Sequence, residues 1–420
     1  MSNEYTEKNN YSSNSPLKEG SIFFQAHAIW VLLIFFIAAI WLRLLSLIVV
    51  SVFLLFLFVI ITLWKNASLN NVILNLRLSK TRLFADEGFE INASITNDKW
   101  LPLIWIEMCF PQNEGLCYDN SSGKFYTVRF LWLLWFQKVE WSFNGKGLQR
   151  GVYPIGQVTL RSGDGFRFSE KEKIYNSDEK IYVYPRLVPV HISDMRPSLQ
   201  WGARGRKGGL LEDPLMVIGI REYQAGDELK RFNWNASART GKLLTNVYQP
   251  VVLEQLVFYI DVDGFVIYEN AYENPEEQKA YVMEKKEAFE RFLSVIASIA
   301  VKYTERGIGI GFASNGSNYY GQKMPYVLPS TDLMNFLDQL ALITQRVHVS
   351  KIMPLDEMFC QGRISMPVYI FCNQVTKAHY MWYQKNKEKL PEICFYYNIE
   401  TEFSEKMASK TKPMDTFLIS

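Results

Sequence analysis

GIREYQAGDELKRFNWNASARTGKLLTNVYQ, residues Gly219 to Gln249, is the densest run of special residues in the chain, and it separates two unlike halves. Upstream, short apolar runs alternate with polar turns. Downstream, strand-like runs alternate with long helical ones. Within the stretch, Gly226-Asp227 is a turn signal. The Asp227 carboxylate is placed to cap a short helical turn over 228–232. Asn235 is placed to cap a second helix over 236–240, with Gly241 to end it. Arg221, Glu222, Asp227, Arg231 and Arg239 alternate in charge around Tyr223 and Trp234, and an arginine fork suits a carboxylate through two parallel hydrogen bonds. Two readings stay open. Either the charges form an ionic network pinning an irregular loop, or Arg221, Glu222, Tyr223, Asp227, Arg231, Trp234 and Arg239 form a binding surface or active loop.

The rest of the composition narrows the function. The 420 residues suggest two or three domains, and the net charge of +2 gives no basic field for nucleic acid. Cys109, Cys117, Cys360, Cys372 and Cys394 are scattered and odd in number, without the close pairing of a zinc site. They read as free thiols in a reducing compartment.

Residues 1–21 form a polar tail expected to be disordered. Residues 22–64 are almost wholly apolar. As one helix they would be about 60 Å long at 1.5 Å per residue, whereas a bilayer core is about 30 Å thick. The expectation is therefore two spans, over 23–42 and 44–64, turning at Arg43. Trp30, Trp41 and Trp64 then serve as interface anchors. Lys8 and Lys18 before the pair, and Lys65, Arg77, Lys80 and Arg82 after it, put the bulk of the chain on the cytoplasmic side of the cell membrane.

From 67 to 190 the pattern is strand, polar turn, strand, with Asp86-Glu87-Gly88 as one turn, at spacings typical of a β-sandwich. FLWLLWF, residues 130–136, is apolar throughout and too short to span a bilayer. It reads as a strand buried on both faces or at a domain seam, with a membrane-surface contact as the alternative. Residues 191–249 comprise a Gly-rich linker carrying Arg204, Arg206 and Lys207, followed by the opening stretch. The linker lacks the strand, helix and Gly-Lys-Ser/Thr context of a phosphate loop. From 250 to 420, LEQLVFYIDVDG is a strand, 275–306 a helix stopped at Gly307, and 332–343 a helix capped by Ser330 or Thr331. Further strands and a helix over 375–389 follow. That alternation argues for a mostly parallel, doubly wound sheet.

The opening stretch resembles the signature of a bacterial family called "domain of unknown function fifty-eight". Arg221, Glu222, Tyr223, Gly226, Asp227, Arg231, Trp234, Ser237, Ala238 and Arg239 occupy the fixed positions, and Phe232 and Asn233 depart mildly. RGVYPIGQVTLRSGDGFRF resembles a second family element through Arg150, Gly151, Tyr153, Gly156, Asp164 and Phe166. Gly165 and Arg167 stand where Pro and Gly are usual. The resemblance implies a multidomain α+β chain: an N-terminal two-helix transmembrane hairpin, a β-sandwich-like domain, and a C-terminal α/β doubly wound, von Willebrand factor A-like domain. It further implies partnership with a MoxR-type AAA+ ATPase and transglutaminase-like membrane proteins, besides the lipid bilayer. The metal site of such A-like domains reads Asp-x-Ser-x-Ser. Here Asp261 keeps the first position, Asp263 replaces one serine and Phe265 the other, so the site is degenerate, and no cofactor is expected beyond a conceivable Mg²⁺.

The expected function is a membrane-anchored interaction protein. The alternatives are an envelope-associated hydrolase using Asp227, Asp261 and Asp263 with Arg221 and Arg239, and a Mg²⁺-dependent adhesion-like protein. Against the hydrolase, His27, His191, His348 and His379 fall outside every cluster, and no Ser or Cys has a nucleophile's setting.

Overall fold

A computed structural model describes residues 22–42, 45–111, 115–118, 125–155, 157–163, 170–191, 195, 198–201, 212–224, 227–250, 252–268, 271–348, 357, 367–387 and 392–418. The chain divides into two units after Tyr184. The linker residues Arg204, Arg206 and Lys207, the turn at Asp164 and Phe166, and Gly226 lie outside the described residues.

The first unit begins with helices α1 (Ile22–Trp41) and α2 (Leu45–Ser68). The 24 residues of α2 give about 36 Å of helix, enough to cross a hydrocarbon core. Leu45, Val49, Phe53, Phe56 and Leu63 are exposed on it, so its apolar surface is not a protein core. Two of its hydroxyls are satisfied within the helix, Ser51 donating to the Leu47 carbonyl at 2.8 Å and Thr62 to that of Phe58 at 2.9 Å. Among the described residues α2 is the one helix long and apolar enough to cross a membrane. Trp30–Trp41 of α1 is a shorter apolar stretch. The expected two-helix transmembrane hairpin is corrected accordingly. Uninterrupted apolarity was read as two spans, whereas among the described residues one helix qualifies.

The remainder of this unit is β1 (Val72–Leu78), β2 (Arg82–Phe84), β3 (Gly88–Asn97), β4 (Leu103–Pro111), β5 (Leu116–Tyr118), β6 (Phe125–Leu133), β7 (Lys138–Gly147), β8 (Gly151–Pro154), β9 (Gln157–Gly163), β10 (Glu170–Asn176) and β11 (Lys180–Tyr184). They form sheets ordered β1-β3-β7-β5, β10-β9-β4-β6 and β2-β11-β8. Alternation along β1 and β3 sends Leu74, Ile91 and Ile95 inward, where they meet Ile106, Met108, Phe110 and Leu160 of the second sheet in one core. Phe143 closes it against Phe110 and Tyr126, with ring centroids 5.0 and 4.6 Å apart. Residues 130–136 are not the fully buried strand expected. The strand ends at Leu133, and Leu134, Trp135 and Phe136 stand exposed in the turn to β7.

The second unit opens with β12 (Ser198–Trp201), β13 (Glu212–Glu222), α3 (Trp234–Thr240) and β14 (Leu244–Pro250). Then come β15 (Val252–Ile260), α4 (Pro275–Glu305), β16 (Gly309–Ser314), β17 (Gly316–Asn318), β18 (Val327–Ser330), α5 (Met334–Leu342) and β19 (Ile343–Val347). The chain closes with β20 (Val368–Gln374), α6 (Lys377–Asn386), β21 (Ile393–Ile399), α7 (Glu402–Lys406) and β22 (Thr411–Pro413). The main sheet is ordered β18-β16-β15-β20-β21-β22, with β12 also on β15. Strands β15, β16, β20, β21 and β22 pair in parallel, whereas β12 and β18 run antiparallel.

The doubly wound, von Willebrand factor A-like reading is thereby corrected, and with it the fold class as a whole. Strand outweighs helix along the described chain, and this sheet is mixed. After β16 the chain turns back on itself through β17 and β18, where a doubly wound sheet requires a helical crossover. A β/α alternation in sequence was read as if every connection were helical.

Candidate functional site

The stretch around Gly219–Gln249 folds as a two-stranded ribbon, β13 on β14, with α3 between them. Asp227 caps no helix. It holds Arg221 in a bidentate pair, Nη1 to Oδ2 at 2.7 Å and Nη2 to Oδ1 at 2.6 Å. The same carboxylate accepts the Gln224 N–H at 3.0 Å. These bonds, Arg221 first and Gln224 next, hold the Asp227 carboxyl below its ordinary value. Lys242 Nζ reaches Glu222 across the ribbon at 2.6 Å, lowering the Glu222 carboxyl and raising the lysine.

Rings form the second part. Phe232 lies between Tyr223 and Trp234, with centroids 5.0 and 5.3 Å away. Arg231 stands 6.0 Å over the Tyr248 ring and 3.7 Å from Glu228. The cap of α3 is Asn233, not Asn235. Its Oδ1 accepts from the Ala236 N–H at 3.0 Å, while its Nδ2 donates to Asn246 at 2.8 Å. Gly241 ends the helix at φ 71°, a left-handed backbone that favours glycine.

The structure therefore joins Arg221, Glu222 and Asp227 in one ionic group with Lys242, joins Tyr223 and Trp234 through Phe232 in one aromatic group, and sets Arg231 against Tyr248 and Glu228. Arg239 stands exposed in the last turn of α3 and belongs to neither. Sequence reasoning missed Phe232 and Lys242. Phe232 sits between two rings in the sequence itself, which was the available signal. Lys242 meets Glu222 only through ribbon register.

Asp261 and Asp263 follow β15. Asp261 is buried, and its carboxylate is turned to protein partners. Oδ1 accepts from Asn315 Nδ2 at 2.6 Å and from the Asp263 N–H at 3.0 Å. Oδ2 lies 3.2 Å from His379 Nε2, an ion-pair distance without hydrogen-bond alignment. His379 is fully buried, and its Nδ1 accepts the Thr376 N–H at 3.3 Å at the start of α6, which places the ring hydrogen on Nε2. Asn315 Oδ1 in turn accepts the Val262 N–H at 3.0 Å. His379 thus belongs to a cluster that the sequence reading placed it outside.

A divalent cation needs converging oxygens. Here the groups facing Asp261 are N–H donors and an imidazole. Phe265 is buried against Phe289 and Phe292, with centroids 5.3 and 4.7 Å away. Among the described residues no group of three or more His, Cys, Asp or Glu could hold a metal ion. The residues at this strand end do not fit Mg²⁺. Nor is Asp261 presented to a substrate, since it and His379 are buried together.

No family model matches this chain. It is 26% identical over 251 residues to a Bacillus subtilis protein described as uncharacterized, YeaD. The match covers 57% of this chain, which spans about half of that relative's length, 55%. Solved structures matched in part include a CARDB domain from Pyrococcus furiosus (12% identity, TM-score 0.17, 27% of this chain and 93% of that one). Another is the sporulation control protein Spo0M of Bacillus subtilis (13% identity, TM-score 0.16, 27% of this chain and 50% of that one). Scores of that size carry no argument about fold or function.

Proposed function

We propose that this chain is a membrane-anchored interaction protein, held by α2, with the bulk of the chain facing the cytoplasm and a protein partner docked on the β13–β14 ribbon. One observation carries the reading. Of the described side chains from 217 to 248, only that of Thr245 is buried. Ile218, Ile220, Leu229, Trp234 and Leu243 are exposed, Trp234 by 70%. A two-stranded ribbon is marginal by itself, and exposed apolar clusters on a stiff frame mark interaction surfaces. The Arg221–Asp227 fork and the caps of α3 supply the stiffness without covering those side chains. Free thiols at Cys109, Cys117, Cys372 and Cys394 support a reducing side for the bulk of the chain.

The resemblance of the signature stretch to the "domain of unknown function fifty-eight" family makes a MoxR-type AAA+ ATPase the first partner to test, with a transglutaminase-like membrane protein next. A photoreactive amino acid at Trp234 or Leu243 of the full-length chain should crosslink the ATPase in native membranes, and one at Ile73 of the first unit should not. Equal labelling from both places, or none from the ribbon, would overturn the reading.

A further inference from the structure

Four aromatic side chains of the first unit stand exposed at two neighbouring turns. Trp100 between β3 and β4 is 79% exposed; Trp132 near the end of β6, and Trp135 and Phe136 in the turn to β7, are 67%, 52% and 54% exposed. Trp100 and Phe136 touch edge to face at 5.6 Å, so the two turns form one patch. Trp132 and Phe136 have φ of 65° and 52°, a region that bulky residues rarely enter. Backbone held there needs surroundings that over-determine it.

Those surroundings are visible. Asn97 is fully buried, and its Nδ2 donates to the Leu101 carbonyl at 3.0 Å in one turn and to the Leu134 carbonyl at 2.9 Å in the other. Its backbone N–H donates to the Gln137 carbonyl at 2.9 Å. Gln137 Oε1 accepts the Leu134 N–H at 2.8 Å. The patch is a fixed platform, not a loose loop.

The same platform is bolted to the end of α2. Lys99, next to Trp100, donates from Nζ to the Ser68 carbonyl at 2.5 Å and the Asn70 carbonyl at 2.6 Å. The Asp98 N–H donates to the Asn71 carbonyl at 3.0 Å. Lys171 donates to the Asn66 carbonyl at 2.7 Å. Cations on the last carbonyls of a helix satisfy groups the helix leaves open and meet its negative end. Burial first, and the nearby charge of Lys173 after it, lower the pKa of Lys99. The end of α2 thus meets Lys99 and Lys171, with Trp100 next along the chain, and lysine and tryptophan are the residue types that favour the level where acyl chain meets headgroup.

We infer that Trp100, Trp132, Trp135 and Phe136 form a second contact with the bilayer, an aromatic collar seated in the headgroup layer on the side where α2 emerges, with Lys99 and Lys173 facing anionic lipid phosphates. The inference rests on the reading of α2 as a membrane anchor. Continuity with α2 selects lipid as the occupant. The patch is tied to the last turn of that helix through Lys99, the neighbour of Trp100.

The test uses the full-length chain in phosphatidylcholine vesicles containing phosphatidylglycerol, with a trace phospholipid carrying a diazirine near its glycerol. After irradiation, adducts are mapped by peptide mass spectrometry. The expected result is labelling of α2 and of the peptides holding 100 and 132–136. In the Trp100→Ser/Trp135→Ser variant, labelling of those peptides should fall by about tenfold, as interfacial tryptophans lose their seat, while α2 stays labelled. These positions are exposed, so unchanged thermal unfolding is the folding control. Labelling of α2 alone would overturn the collar and leave the anchor standing. Labelling of neither would overturn both.

Discussion

Replacing Asp261 by alanine separates a structural strand end from a chemical one. The carboxylate accepts two hydrogen bonds, from Asn315 Nδ2 and the Asp263 N–H, and faces His379 Nε2. Asn315 and His379 are both fully buried and stay so after the substitution. An orphaned buried donor costs about 1–3 kcal/mol. Asn315 Nδ2 and the Asp263 N–H both lose this acceptor, and the expected loss is about 3 kcal/mol for the second unit. Asp261→Asn keeps an acceptor for Asn315 but turns an amide N–H toward the ring hydrogen of His379, so about 1–3 kcal/mol is expected. Hydrogen exchange of the Phe258, Tyr259 and Ile260 amides in the full chain reads the opening of this sheet directly. A cycle with Asn315→Ala should show a coupling of about 1–3 kcal/mol. A loss below about 0.5 kcal/mol for Asp261→Ala, the level of an ordinary surface change, would refute the assignment and return the strand end to the list of possible reaction sites.

Further outcomes follow from the same contacts. A Cβ at Gly264 would lie 2.5 Å from Asn373 Cβ, and Gly264→Ala should therefore cost about 1–3 kcal/mol through overpacking, read in the same exchange experiment. Asp227 has a folded carboxyl value below its unfolded one, so its pair with Arg221 contributes above the ordinary carboxylate range. That contribution is lost as pH falls through the folded value. The Gln224 amide shift should mark a transition below the usual carboxylate range, and Arg221→Ala should raise its midpoint. Burial, with Lys173 adding, lowers Lys99 from 10.5 to about 8. Between those values the unfolded chain holds a proton that the folded one lacks, so the first unit should gain stability as pH rises through that window. A denaturation series should show this slope, and Lys99→Met should flatten it.

Several of these features were legible in the sequence, and the physical reason separates them from those that were not. Helix α4 could be read because its signals are local: Asn274 before Pro275 at the start, apolar residues at helical spacing, and Gly307 at φ 83° beyond its end. The Asp227 cap was equally local and failed, because Arg221, six residues earlier, offers that carboxylate two parallel bonds instead of one. FLWLLWF failed for a different reason. Hydropathy alone does not tell a buried strand from an exposed aromatic turn, and the deciding groups were Asn97 and Gln137 in neighbouring segments. His379 was beyond reach, since it meets Asp261 only when α6 is laid against the end of β15.

The two ends of the second unit divide the physical tasks between them. At the strand end, polar groups are buried and matched to one another, so substitution there should register in stability. On the ribbon, the polar groups are matched at the surface while Ile218, Ile220, Leu229, Trp234 and Leu243 remain uncovered. Trp234→Ser removes a ring that contacts Phe232 but is largely in water, so it should leave unfolding within about 0.5 kcal/mol of the parent chain. If the ribbon is where a partner docks, that same substitution should weaken ATPase capture by about tenfold or more, since buried aromatic anchors dominate interface energy. Asp261→Ala should show the reverse pattern under conditions where the unit is still folded. A Trp234→Ser chain that lost stability and kept its partner would mean that the ring belongs to the fold of this unit and that the docking surface lies elsewhere.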